Sequence, residues 1–133
     1  MWLFLSNGIL SVVNHRDLED TVLVRARVRE HISYYFGNEG IYVDRDADYP
    51  YRYNLQKEGF KEFLEEYVDE MEYDNFKNSV RSNDIKRTCM IVWNVIWDIF
   101  DERVMESVFR RFEEVISHRL DVRSYTKADH GSH

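Results

Sequence analysis

Alternation of apolar and basic residues is clearest in Thr21–Arg29, which reads TVLVRARVR. A period of two is typical of a β-strand that buries one face. One face carries Val22, Val24, Ala26 and Val28, and the other carries Leu23, Arg25, Arg27 and Arg29. Burying guanidinium groups without partners is costly, so the sequence predicts that the four residues of the first face are buried. It also predicts that Arg25 and Arg27 reach solvent or an anion.

Two hairpins are expected around this strand. The first joins Trp2–Leu5 to Ile9–His15 through Asn7-Gly8, a strong turn signal because both residues tolerate positive φ. The second joins Ile41–Asp44 to Tyr49–Leu55. Its Pro50 confines that strand to an edge or makes its beginning irregular, because proline has no N–H to donate.

Apolar spacings of three and four residues indicate helices. They mark Glu30–Phe36, Phe60–Met71 and Ile85–Phe100, and then residues 101–123. Ile85–Phe100 is so broadly apolar that we expect it to be buried on more than one side. The predicted fold is α+β: an antiparallel sheet of four or five strands with helices on one face, related to the ferredoxin-like plan. The predicted domain comprises residues 1–100, followed by a C-terminal amphipathic helix over residues 101–123 and a flexible tail over residues 124–133.

Charge and composition restrict the partners and the cell compartment. The 133 residues carry 25 acidic and 18 basic side chains, a net charge of −7, which disfavours non-specific binding to nucleic acid. No apolar run approaches the roughly 20 residues that cross a bilayer. Cys89 is the only cysteine, so no internal disulfide forms, and we expect a buried, inert thiol. The apolar start has no basic residue and ends after Leu5, so we expect a cytoplasmic protein.

Arginines and tyrosines of two strands form a candidate ligand site. The residues are Arg25, Arg27, Arg29, Tyr49, Tyr51 and Arg52. Guanidinium groups bind phosphates and aromatic rings stack on bases, so this face suits an anion or a nucleotide. The alternative is structural: the arginines pair with Asp44, Asp46 or Asp48, and the tyrosines fill the core.

No residue pattern indicates a catalytic centre, a metal site or a cofactor. Residues 44–55 begin like a calcium loop, but Tyr49 stands where such a loop needs Gly and Leu55 where it needs Glu. The histidines lack the spacing of a helical zinc site, and no serine lies in a nucleophile motif. We therefore expect a protein that is not an enzyme.

The C-terminal stripe predicts an interface. Its residues are Val104, Met105, Val108, Phe109, Phe112, Val115 and Ile116. So large an apolar stripe either folds back on the domain or packs against another chain, and we expect a homodimer with Phe109 and Phe112 near its centre. The favoured function is an interaction or regulatory protein that also contacts an unidentified protein. The alternatives are anion or nucleotide binding by the arginine face, and phage-type inhibition of a nuclease or defence complex by the acidic Glu62–Asp74 segment.

Five phrases of the sequence resemble a family of small uncharacterised proteins from bacteria and their phages. They are Met1–Phe4 with Gly8 and Ser11, Val24–Arg27, Asp48–Arg52, Asp74–Lys77, and Val92-Trp93. The resemblance covers roughly residues 1–100. It implies a compact α+β domain and carries no catalytic role over to this chain.

Overall fold

The computed structural model describes residues 1–101, 106–107 and 109–119. The chain separates into two compact units, of which the first is Met1–Met90 and the second begins at Ile91. The elements are β1 (Trp2–Leu5), β2 (Gly8–Asn14), β3 (Thr21–Ala26), α1 (Arg29–Phe36), β4 (Tyr42–Val43), β5 (Tyr51–Gln56), α2 (Lys57–Asp69), α3 (Phe76–Ser79) and α4 (Asn83–Phe100). Residues 109–119 are also helical.

The five strands form one sheet in the order β1-β2-β3-β5-β4, and every neighbouring pair is antiparallel. The predicted α+β class, the five-stranded antiparallel sheet and the C-terminal helix are therefore confirmed. The order of elements from β1 to α4 is β-β-β-α-β-β-α-α-α, whereas the ferredoxin-like plan is β-α-β-β-α-β. The relation to that plan is thus limited to the fold class.

The core lies between one face of the sheet and the helices α1 and α2. Val24 and Ala26 of β3 and Ile32 of α1 are fully buried there, and Phe60 of α2 is nearly so. Both helices contact β3 and β5, and α1 also contacts β2. Side chains alternate across a strand, so the residues between these core positions point to the opposite face.

Strand β3 ends earlier than its alternation predicts. Val22, Val24 and Ala26 are buried, which confirms the predicted face, but Val28 is 42% exposed because the chain leaves the sheet after Ala26 to begin α1 at Arg29. The prediction for Val28 is therefore wrong. Leu23 is buried although it points to the face opposite the core.

The first hairpin uses a different turn from the predicted one. Leu5 pairs with Gly8, so the two-residue turn is Ser6-Asn7 and Gly8 is already part of β2. Among the described residues, positive φ occurs at Asp20, Gly37 and Gly40, and therefore at neither Asn7 nor Gly8. The predicted hairpin is confirmed, but the backbone conformation at position 8 does not itself require glycine.

None of the helices in the described part of the chain combines the length and apolarity that crossing a bilayer requires.

Candidate functional site

A row of side chains crosses all five strands on the face opposite the core. Strand pairing places Arg25 directly opposite Ser11 on one side and Arg52 on the other. Ser11 in turn lies opposite Trp2, and Arg52 opposite Tyr42. We call this series, Trp2-Ser11-Arg25-Arg52-Tyr42, the arginine row. Two arginines are thus direct strand neighbours within the row, with an aromatic residue at each end.

Tyr49 links three arginines beside this row. Its ring centroid lies 5.0 Å from Cζ of Arg25 and 5.4 Å from Cζ of Arg27, within the range of cation–π contacts. Its carbonyl oxygen accepts a hydrogen bond of 3.2 Å from Nε of Arg52. We call Arg25, Arg27, Arg52 and Tyr49 the arginine cluster.

Arg25 is held in place by neighbours on the sheet. Its Nη2 donates a hydrogen bond of 2.8 Å to Oγ of Ser11, which is itself buried. Its Nε is buried and has no hydrogen-bond partner. A buried unpaired donor costs about 1–3 kcal/mol, so this guanidinium sits in a position that its surroundings do not fully satisfy.

The acidic partners that the structural alternative requires do not pair with the cluster. Among the described residues, no carboxylate lies within 4 Å of Arg25, Arg27 or Arg52, and the ion pair that forms is Lys61–Glu58 in α2. The nearby aspartates bond to backbone instead: Oδ1 of Asp44 accepts from N of Asp46 at 3.2 Å, and Oδ1 of Asp48 accepts from N of Tyr49 at 2.9 Å. None of the three arginines of the arginine cluster therefore forms an ion pair with a described carboxylate.

Two of the residues assigned to this face by the sequence lie elsewhere. Arg29 is the first residue of α1, and its Nε donates to Oδ1 of Asn38 at 3.4 Å. Tyr51 packs against the core. The reason is that β3 ends at Ala26, and that Pro50 interrupts the alternation between Tyr49 and Tyr51. The structure therefore brings Arg25, Arg27, Tyr49 and Arg52 together, without Arg29 and Tyr51.

A cleft of about 620 Å³ in the first unit forms a second candidate site. Its polar lining is a connected hydrogen-bond network. Tyr67 Oη lies 3.3 Å from the donating N–H of Ser6 and 3.4 Å from the hydroxyl of Tyr73, and the hydroxyls of Ser6 and Ser79 are 2.6 Å apart. Tyr35 adds a hydroxyl that accepts from N of Asn7 at 2.9 Å.

The tyrosines of this cleft differ in acidity. Burial raises the pKa of Tyr35 to about 12, and burial together with the hydrogen bond to Tyr67 raises that of Tyr73 to about 12. Burial also acts to raise the pKa of Tyr67, but its hydrogen bonds with Ser6 and Tyr73 outweigh burial and lower it. No sequence signal points to this network, because its members come from a turn and from separate helices and loops.

The second half of α4 exposes apolar side chains in several directions. Ile91, Trp93, Val95, Ile96, Trp97 and Phe100 are each about half exposed or more. The rings of Trp93 and Trp97 stack on one another, with centroids 5.5 Å apart. In α4 only Ile85 is buried, so the expectation that this helix is buried on more than one side is wrong for the single chain. We call the exposed residues from Ile91 to Phe100 the apolar helical surface.

The C-terminal helix also exposes its apolar stripe. Phe109, Phe112, Val115 and Ile116 are 50–65% exposed. The other predicted interface residues, Val104, Met105 and Val108, lie outside the described residues.

Three features of the described residues can thus carry a function: the arginine cluster, the tyrosine-lined cleft and the exposed apolar helices. Within the described residues, no group of three or more His, Cys, Asp or Glu side chains is placed to hold a metal ion. No family model matches the chain, and no curated protein or solved structure is similar to it.

Proposed function

We propose that the protein acts through protein–protein contacts and that it forms a homodimer through its exposed apolar helices. The observation that carries this proposal is the exposure of Trp93, Trp97 and Phe100, at 55%, 56% and 72%. Large apolar side chains that are exposed side by side on a soluble protein usually mark an interface. The reason is that removing apolar surface from water lowers the free energy of the system.

The exposed area is large enough to support this. If a ring has about 200 Å² to bury, the three aromatic side chains expose on the order of 350 Å². This is comparable to the largest apolar patch on a typical monomer, which is about 300–600 Å² and is often functional. Ile91, Val95 and Ile96 extend the area on the same helix, and the stripe of Phe109 to Ile116 adds more.

Charge favours a second copy of the chain as the partner. Residues 91–100 carry a single ionisable side chain, Asp98, so two chains of net charge −7 approach here with little local repulsion. Residues 109–119 carry both signs of charge. They include Arg110 and Arg111 as well as Glu113 and Glu114, so this helix does not present charge of one sign to a second copy.

Sedimentation or light scattering of the intact chain tests the proposal. We expect a mass of two 16.2 kDa chains for the native protein and of one chain for Phe112→Glu. Val68→Glu is the matched control, because Val68 is also an apolar helical residue, 63% exposed against 65% for Phe112, but lies in the first unit. A native protein that stays a single chain at tens of micromolar, or a Phe112→Glu variant that stays dimeric, would contradict the proposal.

A further inference from the structure

We propose that the arginine cluster binds the phosphate group of a mononucleotide, whose base stacks on an aromatic residue at an end of the arginine row. This site lies in the first unit and does not depend on the proposed dimer. The proposal gives the protein a small-molecule ligand in addition to the proposed protein contacts.

Three neighbouring arginines without an ion-pair partner point to an anionic ligand. Arg25 and Arg52 are direct partners across β3 and β5, where Cα atoms lie about 4.5–5.5 Å apart. Like charges placed directly opposite one another destabilise a sheet. Arg27 adds a third positive charge, because it contacts the same Tyr49 ring as Arg25. No described carboxylate lies within 4 Å of any of these three arginines. A phosphate monoester, with close to two negative charges and three acceptor oxygens, matches this set.

The ends of the row supply surfaces for a base. Trp2 is 72% exposed and Tyr42 is 41% exposed, and both stand on the same row as the guanidinium groups. Neighbouring strands are about 4.8 Å apart, so Tyr42 is one spacing from Arg52, and Trp2 is two spacings from Arg25. These distances suit a nucleotide, whose phosphate and base are joined by one sugar. The hydroxyl of Tyr42 donates to Oδ1 of Asn54 at 3.0 Å, which fixes the ring on this face.

The charge of the whole chain favours a mononucleotide over a polymer. A protein of net charge −7 repels a long phosphate backbone, whereas a single phosphate needs only the local cluster. Bidentate arginine contacts provide the required strength within that small area.

Calorimetric titration of the intact chain tests the site. The probes are the four ribonucleoside 5′-monophosphates, inorganic phosphate, adenosine, and an eight-residue single-stranded DNA. We expect at least one monophosphate to bind with one-to-one stoichiometry and at least tenfold more tightly than inorganic phosphate, and we expect no heat from adenosine. Failure of all four monophosphates to bind below 1 mM, equal affinity for inorganic phosphate, or tighter binding of the oligonucleotide would each overturn the proposal.

Substitutions then locate the ligand. Arg52→Gln should weaken binding of that monophosphate at least tenfold, and Trp2→Ala or Tyr42→Ala should weaken it while leaving inorganic phosphate unaffected. Arg29→Gln is the matched control, since it removes the same charge from a half-buried arginine that bonds to Asn38 instead of Tyr49. If Arg29→Gln and Arg52→Gln weaken binding equally, the cluster is not the site.

Thermal unfolding of the unmodified chain gives a readout that does not depend on how the variants fold. A ligand that binds only the folded chain raises the unfolding temperature with its concentration. We expect this rise with the monophosphate and not with sodium chloride at equal ionic strength. An equal rise with both would show general screening of charge and would overturn the proposal.

Discussion

Gly8 lies against the backbone of His31: a Cβ atom at position 8 would stand 2.8 Å from the His31 carbonyl oxygen and 3.1 Å from its Cα. The adjacent amide of Ile9 donates to Nδ1 of His31 at 3.3 Å. The first residues of β2 and the first turn of α1 therefore fit together without room for a methyl group. This contact fixes the position of α1 over the sheet.

We expect Gly8→Ala to destabilise the protein by about 1–3 kcal/mol, because the added carbon meets backbone atoms that cannot rotate away. In a unit of this size, each kcal/mol corresponds to about 4–8 °C in the unfolding temperature measured by circular dichroism. Gly59→Ala is the control: Gly59 lies within α2, its Cβ would meet only the side chain of Leu55, and alanine favours a helix. A Gly8→Ala protein as stable as the Gly59→Ala protein would show that the two backbones separate easily.

The stability of the first unit should fall as the pH is lowered through the range of histidine. Burial lowers the pKa of His31 below its usual value of 6.5, although the nearby Glu30 acts in the opposite direction. The unfolded chain therefore binds a proton more readily than the folded one, so this contribution is complete above about pH 6.5 and is lost as the pH falls. The free energy of unfolding in urea, determined between pH 7.5 and 5.5, measures this contribution. His31→Gln should flatten the profile, and a profile unchanged by that substitution would exclude His31 as its source.

Removing one hydroxyl from the cleft should destabilise the protein. Tyr67→Phe leaves the N–H of Ser6 without its acceptor and takes away the partner of Tyr73, at a cost of about 1–2 kcal/mol. Tyr34→Phe removes a hydroxyl from an exposed tyrosine that also lines the cleft and should change stability little. Chemical denaturation of both variants gives the comparison, and equal stabilities would mean that water replaces the lost hydroxyl without cost.

The single thiol should react slowly in the folded protein. Cys89 is partly buried, and burial raises the pKa of its thiol, so less of the reactive thiolate is present near neutral pH. Reaction with a chromogenic disulfide at pH 8 should accelerate when the chain is unfolded in urea. Equal rates in both states would contradict a protected thiol.

Local patterns predicted the central strand well, and they failed where distant residues decide the outcome. The alternation in Thr21–Ala26 identifies the buried face, because burial of β3 follows from its own sequence. The alternation of the sequence continues to Val28, although the chain leaves the sheet after Ala26. The contact between Tyr49 and Arg25 depends on the pairing of β3 with β5 and on Pro50, which no local pattern encodes.

The same contrast between local patterns and distant contacts explains what could be predicted of the helices and of the cleft. The apolar spacing in Ile85–Phe100 predicts a helix correctly, but hydrophobicity alone does not say whether the chain itself or a partner covers it. The hydrogen bond between Ser6 and Tyr67 joins residues 61 positions apart, so no spacing in the sequence marks it.

Strand β3 has hydrogen-bonded neighbours on both sides, with β2 along Val22–Arg25 and β5 along its whole length. Its amide protons can exchange with deuterium from the solvent only when one of these ladders opens. Because Val24 and Ala26 are also fully buried, we expect that opening to require the first unit to unfold as a whole. Amide exchange at Val24 therefore measures the global unfolding equilibrium of the first unit, and gives an internal standard against which faster, local openings elsewhere in the chain can be timed.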